Sequence, residues 1–288
     1  MTANQTNLSD KVIMVSGATD GIGQAAALIL ARRGAEIVGV GRNPQKCEQS
    51  TQMIKELTGN QNVNYLLADL SSQQDIRDLA TEFKQKYDHL DVLVNNAGAA
   101  FAKRQETVDG NEMTYALNHL NYFMLTNLLL VVLKSGAPAR IVNVSSRLHR
   151  QGVMDFNDLQ FQRGYSRFKA YRRSKLANVH FTYELARQLQ GTSVTVNAAD
   201  PGLVKTNAGS NDGLLSRLAK GLVDAIAAQT PEEGAQTIVY LASSLEVGGV
   251  SGKFFRNQQA IPSSKASYDR QVADKLWQVS AQLTGLSQ

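Results

Sequence analysis

The stretch that most constrains this chain is Lys11-Val-Ile-Met-Val-Ser16, followed at once by Gly17-Ala-Thr-Asp-Gly21-Ile-Gly23. A short apolar run bounded by glycine reads as a strand buried on both faces of a parallel sheet. Residues Gln24 to Arg33 then fall in helical period, and Gly34 stops them. Strand, glycine loop and helix together make a phosphate cradle. Glycines let the backbone approach closely, and the helix start offers free N–H groups and a positive dipole end. The spacing is G-x-x-x-G-x-G, not the commoner G-x-G-x-x-G.

Later segments repeat the alternation. Strands are expected at Glu36–Gly41, Val63–Ala68, Leu90–Val94, Arg140–Ser146, Ser193–Ala198 and Ser251–Phe255. Helices are expected after Asn43-Pro44, after Ser72, over 111–134 with Asn118 in its middle, from Ser166 to Gln190, after Thr230-Pro-Glu-Glu233, and over 264–283. The fold class is therefore α/β: a single-domain doubly wound parallel sheet, a Rossmann fold, with helices on both faces. No composition break divides the 288 residues, so residues 11–288 are expected to form one domain behind a polar tail, 1–10.

Composition narrows the setting. The single cysteine, Cys47, excludes an internal disulfide and any multi-cysteine metal site, and the four histidines lack metal spacing, so no metal is expected. The N-terminal residues lack the pattern of a signal peptide. The most apolar run, 125–133, falls short of the ~20 residues that span a bilayer. A cytoplasmic protein without an integral membrane segment is expected. Eight Lys/Arg against Asp155 and Asp158 give residues 147–175 a charge of +6, out of +5 for the whole chain. No nucleic-acid motif accompanies them, so no nucleic-acid partner is expected. The alternatives are a solvated helix face or a rim attracting an anionic group.

At the carboxyl end of the second strand, an NAD site would want a carboxylate for the ribose 2′-hydroxyl. This chain has Gly41 and Arg42 there, which favours the 2′-phosphate of NADP(H). Tyr171 and Lys175, four residues apart, share one helix face. An ammonium beside a phenol is expected to lower its pKa and make a general acid/base usable near neutral pH. Tyr165 and Lys169 repeat the spacing, but Gly164 and Ser166 read as loop and N-cap and leave Tyr165 before the helix. Alternation along a strand sends Ser145 and Ser146 to opposite faces, so only one can meet a substrate. His149 lies close enough in sequence to touch one.

Taken together, Ser16-Gly17-x-x-x-Gly21-Ile22-Gly23, Asn95-Asn-Ala-Gly98, Asn118, Ser146, Tyr171-x-x-x-Lys175 and Pro201-Gly202-x-x-x-Thr206 resemble the short-chain dehydrogenase/reductase family. The likeness runs in order over about residues 10–260. Arg140-Ile-Val-Asn-Val-Ser-Ser146, the insertion with Asp158-Leu-Gln160, and Tyr171-x-x-Ser-Lys-Leu-Ala-Asn178 resemble its retinol dehydrogenase and WW-domain oxidoreductase members. Ser16 stands where the family usually has Thr.

The resemblance implies that Tyr171 is the acid/base, that Lys175 lowers its pKa and holds the nicotinamide ribose, that Ser146 orients the substrate oxygen, and that Asn118 holds a water. Implied cofactor contacts are Gly17, Thr19, Asp20, Gly21, Ile22, Gly23, Arg42, Asp69, Leu70, Asn96, Ala97, Gly98, Tyr171, Lys175, Pro201, Gly202, Val204 and Thr206. The implied partner is a small apolar carbonyl or alcohol: a retinal-like aldehyde, a ketone or a steroid. A substrate lid is expected over about 203–228, and the long helices are where family members pair as homodimers or homotetramers. Arg172, Arg173 and the preceding insertion are expected to bear on substrate choice. The rival readings are a protochlorophyllide-reductase-like double-bond reductase, which needs an active-site cysteine, and a non-catalytic NADP(H)-sensing or interaction protein.

Overall fold

The computed structural model describes residues 6–136, 138–202 and 229–286. The expected lid, with Val204 and Thr206, lies outside the described residues.

Eight strands form one sheet in the order β3-β2-β1-β4-β5-β6-β7-β8. They are β1 (Val12–Ser16), β2 (Glu36–Gly41), β3 (Val63–Leu67), β4 (Val92–Asn95), β5 (Ala139–Val144), β6 (Val194–Asp200), β7 (Lys253–Arg256) and β8 (Gln259–Ile261). Every pairing is parallel except β7 with β8. All five β1 residues are buried, yet they divide between faces. Val12 and Met14 join one core cluster and Ile13 and Val15 the other, as a two-residue side-chain period requires. Over the second cluster lie α1 (Gly21–Arg32), α2 (Pro44–Thr58) and, later in the chain, Pro231–Ser243. Over the first lie α3 (Gln73–Lys86), a long helix at 113–135 and a helix at Arg167–Gln188. This is the doubly wound Rossmann arrangement expected from the alternation.

The structure differs from the expectations in four places. The helix expected over 111–134 is not regular. It runs as α4 (Met113–Tyr115), a π-helical segment at Ala116–Leu120 and α5 (Asn121–Ser135), with Asn118 inside the widened turn. Strand β8 was not expected. Asn257 and Gln258 take φ of 50° and 63° and join β7 to β8 as a two-residue hairpin, the left-handed pair that such turns demand. The polar tail is not free throughout: Leu8 is buried against the α1 side of the core, and its N–H donates to the Arg33 carbonyl. Finally, Met113–Ser135 is 23 residues long with mean hydropathy 1.4, long and apolar enough to cross a membrane. The sheet and its neighbours bury 72% of its apolar window, as in a core helix of a globular protein.

The remaining helices are α6 (Arg167–Gln188), α7 (Pro231–Ser243) and α8 (Arg270–Leu283). Thr230 and Glu233 close the expected capping box on α7. Helix α8 packs on the face of α5 and α6, where pairing of two copies was expected. Its Trp277 ring meets Phe123 at 4.9 Å and Phe181 at 5.8 Å, and its Ser280 hydroxyl bonds His119. Helix α8 thus docks on Phe123 of α5, Phe181 of α6 and His119 of the π-helical turn. Trp277→Ala should lower the stability of the whole domain by about 3 kcal/mol through lost contact and a residual cavity, read as a lower urea midpoint.

Candidate active site

A cleft of about 540 Å³ opens at the carboxyl ends of β1 to β6. It lies where the connections from β1 and β4 diverge, the position expected for a ligand in an open α/β sheet. Gly17, Thr19, Asp20, Gly21, Ile22 and Gly23 line one end, with Arg42, Asp69 and Leu70 beside them. Asn96, Ala97 and Gly98 form the middle, and Tyr171, Lys175 and Pro201 close the other end. Ser145 and Arg167 of the basic cluster also line it, as do Ala99, Ala100 and Leu117, which were not among the residues expected at the site.

The β1 and β4 loops are stitched together. The Ser16 hydroxyl accepts the backbone N–H groups of Asn96, at 2.8 Å, and Ala97, at 3.1 Å. Asn96 Nδ2 donates to the carbonyls of Ser16 and Gly17. A side chain on Gly23 would put its Cβ 2.3 Å from the Gly17 carbonyl oxygen, and Gly17 itself has φ 66°. Asn96 thus shapes the cradle from behind. At the helix start, Asp20 caps α1 by accepting the Gly21 N–H at 2.7 Å. Arg42 stands at the rim with 75% of its side chain exposed, 3.9 Å from the Asp69 carboxylate.

Asn118 is fully buried and its side chain is spent on structure. Oδ1 accepts the Ala99 N–H at 2.8 Å, and Nδ2 donates to the Ser174 hydroxyl at 2.9 Å. Its carbonyl, turned outward by the π-helical turn, accepts from Asn178 Nδ2 at 2.9 Å. Asn178 lies three residues after Lys175 on the same face, and that spacing was the available signal for it.

Lys175 Nζ donates to the Val144 carbonyl at 3.0 Å and sits 5.6 Å from the Tyr171 ring centre and 5.7 Å from that of Tyr122. The two side chains share a face, but the expected lowering of the phenol pKa is not what the structure yields. Burial pushes Tyr171 up to about 12, with the neighbouring Ser146 hydroxyl pulling it back and Asp200 adding to the rise. Burial also lowers Lys175 to about 7, so the cation loses its charge near neutral pH and its field cannot outweigh desolvation.

The two serines part as alternation predicts. The Ser145 hydroxyl donates to the Lys175 carbonyl at 2.8 Å, while Ser146 starts the 3-10 turn Arg147–Gln151 and lies beside the Tyr171 phenol. Tyr165 lies before α6 and its hydroxyl donates to the Phe101 carbonyl at 2.8 Å, away from Lys169. His149 faces no substrate space: it is fully buried with both ring nitrogens engaged. Cys47 is buried on α2, beside Gly41, with its thiol pushed up by burial.

Part of the basic cluster is committed to structure, while Arg167 lines the cleft. Arg173 is buried, lies 3.8 Å over the Phe161 ring and donates to the carbonyls of Val153, Asp158 and Leu159, so it braces the insertion. Arg150 donates to the Pro262 and Ser263 carbonyls. Neither is available for substrate choice. Among the described residues, no group of three His, Cys, Asp or Glu could hold a metal.

The profile of the short chain dehydrogenases matches residues 11–213, most of the chain and all of the cleft's described walls up to Pro201. The chain belongs to the short chain dehydrogenase family. It is an oxidoreductase of the retinol dehydrogenase-like subgroup. It is 42% identical to human retinol dehydrogenase 13 over 98% of this chain and 87% of the relative. It is 42% identical to human polyprenol dehydrogenase over 96% of this chain and 86% of the relative. A solved short chain dehydrogenase from Escherichia coli CFT073, complexed with NADPH, superposes with TM-score 0.69 at 28% identity, covering 89% of this chain and all of that one.

A lysine depressed to about 7 costs stability at and below that pH and regains it as pH rises toward its ordinary 10.5. The stability of the native chain relative to Lys175→Met should therefore improve steadily between pH 7 and 10, as measured by urea unfolding across that range.

Proposed function

We propose that this chain interconverts a carbonyl and an alcohol on an apolar small molecule, using NADP(H), with Tyr171 as the proton donor and acceptor. The observation that carries the reading is the Tyr171–Lys175 pair lining one end of a cleft whose other end is a glycine cradle on a helix N-terminus. The cradle suits a dinucleotide: Gly17 and Gly23 leave no room for side chains, and α1 presents its N-terminus to the cleft. Arg42 supports a 2′-phosphate, since its guanidinium is exposed at the end of β2 and its carboxylate neighbour is 3.9 Å away. The NADPH complex of the Escherichia coli relative points the same way. Bound NADP(H) supplies or takes up the hydride, and the protein supplies position and proton.

In reduction, Tyr171 Oη donates its proton to the substrate oxygen while the Ser146 hydroxyl holds that oxygen. Lys175 stands behind the phenol, and Asn118 and Asn178 hold the π-helical turn against α6. A phenol held near 12 is protonated at neutral pH and can serve as the proton donor. Ala99, Ala100 and Leu117 give the inner cleft an apolar lining. With retinol and polyprenol dehydrogenases among the relatives, an isoprenoid aldehyde or alcohol is the substrate class we favour. The single cysteine supports a reducing, cytoplasmic setting.

The double-bond-reductase alternative loses support from Cys47, a buried thiol on α2. A sensing role loses support from the retained Asn118, Ser146, Tyr171 and Lys175.

Two measurements test the proposal. NADPH oxidation with all-trans-retinal, aryl ketones, quinones and ketosteroids should show turnover that Tyr171→Phe reduces by about 10²–10⁴-fold while NADPH binding persists. Unchanged turnover in that variant would sink the assignment. Arg42→Ala should weaken NADPH by about 10–100-fold, the loss of one charge-assisted contact, and leave NADH nearly unaffected. A native preference for NADH would refute the role given to Arg42.

A further inference from the structure

Among the described contacts, His149 is the histidine that hydrogen-bonds the backbone of a proposed catalytic residue. Its Nδ1 lies 2.7 Å from the Ser146 carbonyl oxygen, and its Nε2 lies 3.0 Å from the Ser264 backbone nitrogen. Ser264 N–H can only donate, so Nε2 must be the acceptor. The proton therefore sits on Nδ1 and is donated to Ser146. The ring is fully buried, and its centre lies 4.6 Å from the Phe254 ring of β7, tilted 51° to it. We propose that His149 is a positioning residue: it holds the backbone of Ser146 so that the serine hydroxyl faces the Tyr171 phenol, and it ties that serine to the segment after β8.

The arrangement works only with neutral imidazole. A second proton would set Nε2–H against Ser264 N–H. Burial holds the ring below its ordinary pKa. Arg150 opposes protonation too, and Asp200 on β6 favours it, as the Ser146 carbonyl does. Among the described residues, His180 on α6 is a further titratable neighbour, itself held low, at about 4, by burial.

The far anchor is rigid. Arg150 binds the Pro262 and Ser263 carbonyls, and the Ser263 hydroxyl joins Tyr183 at 2.7 Å and Ser267 at 2.6 Å. The near anchor is a single 3-10 turn, so the imidazole reaches back to the start of its own turn. Ser146 Oγ accepts the Leu148 N–H at 3.2 Å, and its own proton points to the oxygen shared by the Tyr171 phenol and a bound ligand. A serine on the first residue of such a turn would otherwise swing with it. Misplacement of a reacting group by about 1 Å can cost 10²-fold in rate.

The inference rests on the catalytic reading of Ser146, and the experiment separates the two. Asparagine at position 149 can keep the donor to Ser146 and give up Ser264; glutamine can reach Ser264 and give up Ser146. Turnover of all-trans-retinal with NADPH, NADPH affinity and melting temperature would be compared for His149→Asn, His149→Gln, Ser146→Ala and the Ser146→Ala/His149→Gln double variant. We expect His149→Asn to keep kcat within about threefold and His149→Gln to lose about 10–100-fold in kcat. NADPH affinity should be unchanged, and the double variant should lose no more than Ser146→Ala alone. Ser264→Pro, compatible with the φ of −70° there, removes the N–H that fixes the tautomer and should lower kcat several-fold even if a position-149 variant fails to fold. Equal kcat for the two position-149 variants, losses that follow melting temperature, or losses that multiply with Ser146→Ala would overturn the proposal. An active Ser146→Ala would instead overturn the reading of Ser146.

Discussion

The seam between the β1 and β4 loops is what the site depends on. Two neighbouring strands diverge there, and their backbones must approach without side chains between them. The Ser16 hydroxyl takes two amides from the opposite loop, and Asn96 returns two bonds to the first. Buried backbone groups left unpaired would cost about 1–3 kcal/mol each, so this exchange keeps the loops closed. It also explains how Ser16 stands in for threonine: the hydroxyl is the working group, and the missing methyl takes no part in it. Once the seam is shut, the α1 N-terminus points into the cleft, and Gly98 brings the loop against Asn118 and Lys175.

Helix α6 is the second support, and it is unusually polar for a buried element. Arg173, Ser174, Lys175, Asn178, His180 and Thr182 are all buried along it. Most are paid for by specific partners. Asn178 bonds the Asn118 and Val144 carbonyls, while Thr182 receives Asn143, which in turn receives Asn95. This ladder ties β4, β5 and α6 together and so fixes where the Tyr171–Lys175 face meets the sheet. The same burial displaces both their pKa values from where an exposed pair would lie.

The outline of the fold was legible because it follows from period and punctuation. Alternating apolar strands, Asn43-Pro44, Ser72 and the Thr230–Glu233 box each act within a few residues. Strand β8 escaped because Asn257-Gln258 is a weaker turn signal than Asn-Gly, and three residues show little alternation. The π-helical turn escaped because its cause is the demand of Ala99, Ser174 and Asn178 on Asn118, none of which is a local neighbour. Arg173 looked like surface charge until the insertion folded over it, and His149 looked like a substrate contact until its second partner arrived from residue 264.

The sequence by itself determined the element order, the glycine cradle, the end of the sheet at which polar groups gather, and the helix face shared by Tyr171 and Lys175. All of these are short-range consequences of spacing. The tertiary structure alone decided which polar groups were used up inside the protein and which faced the cleft. It decided that desolvation outweighs the attraction of a lysine for a phenolate, and that α8 docks on Phe123 and Phe181. Those outcomes depend on burial and on partners a hundred or more residues away, such as Ser264 for His149 and Ser280 for His119.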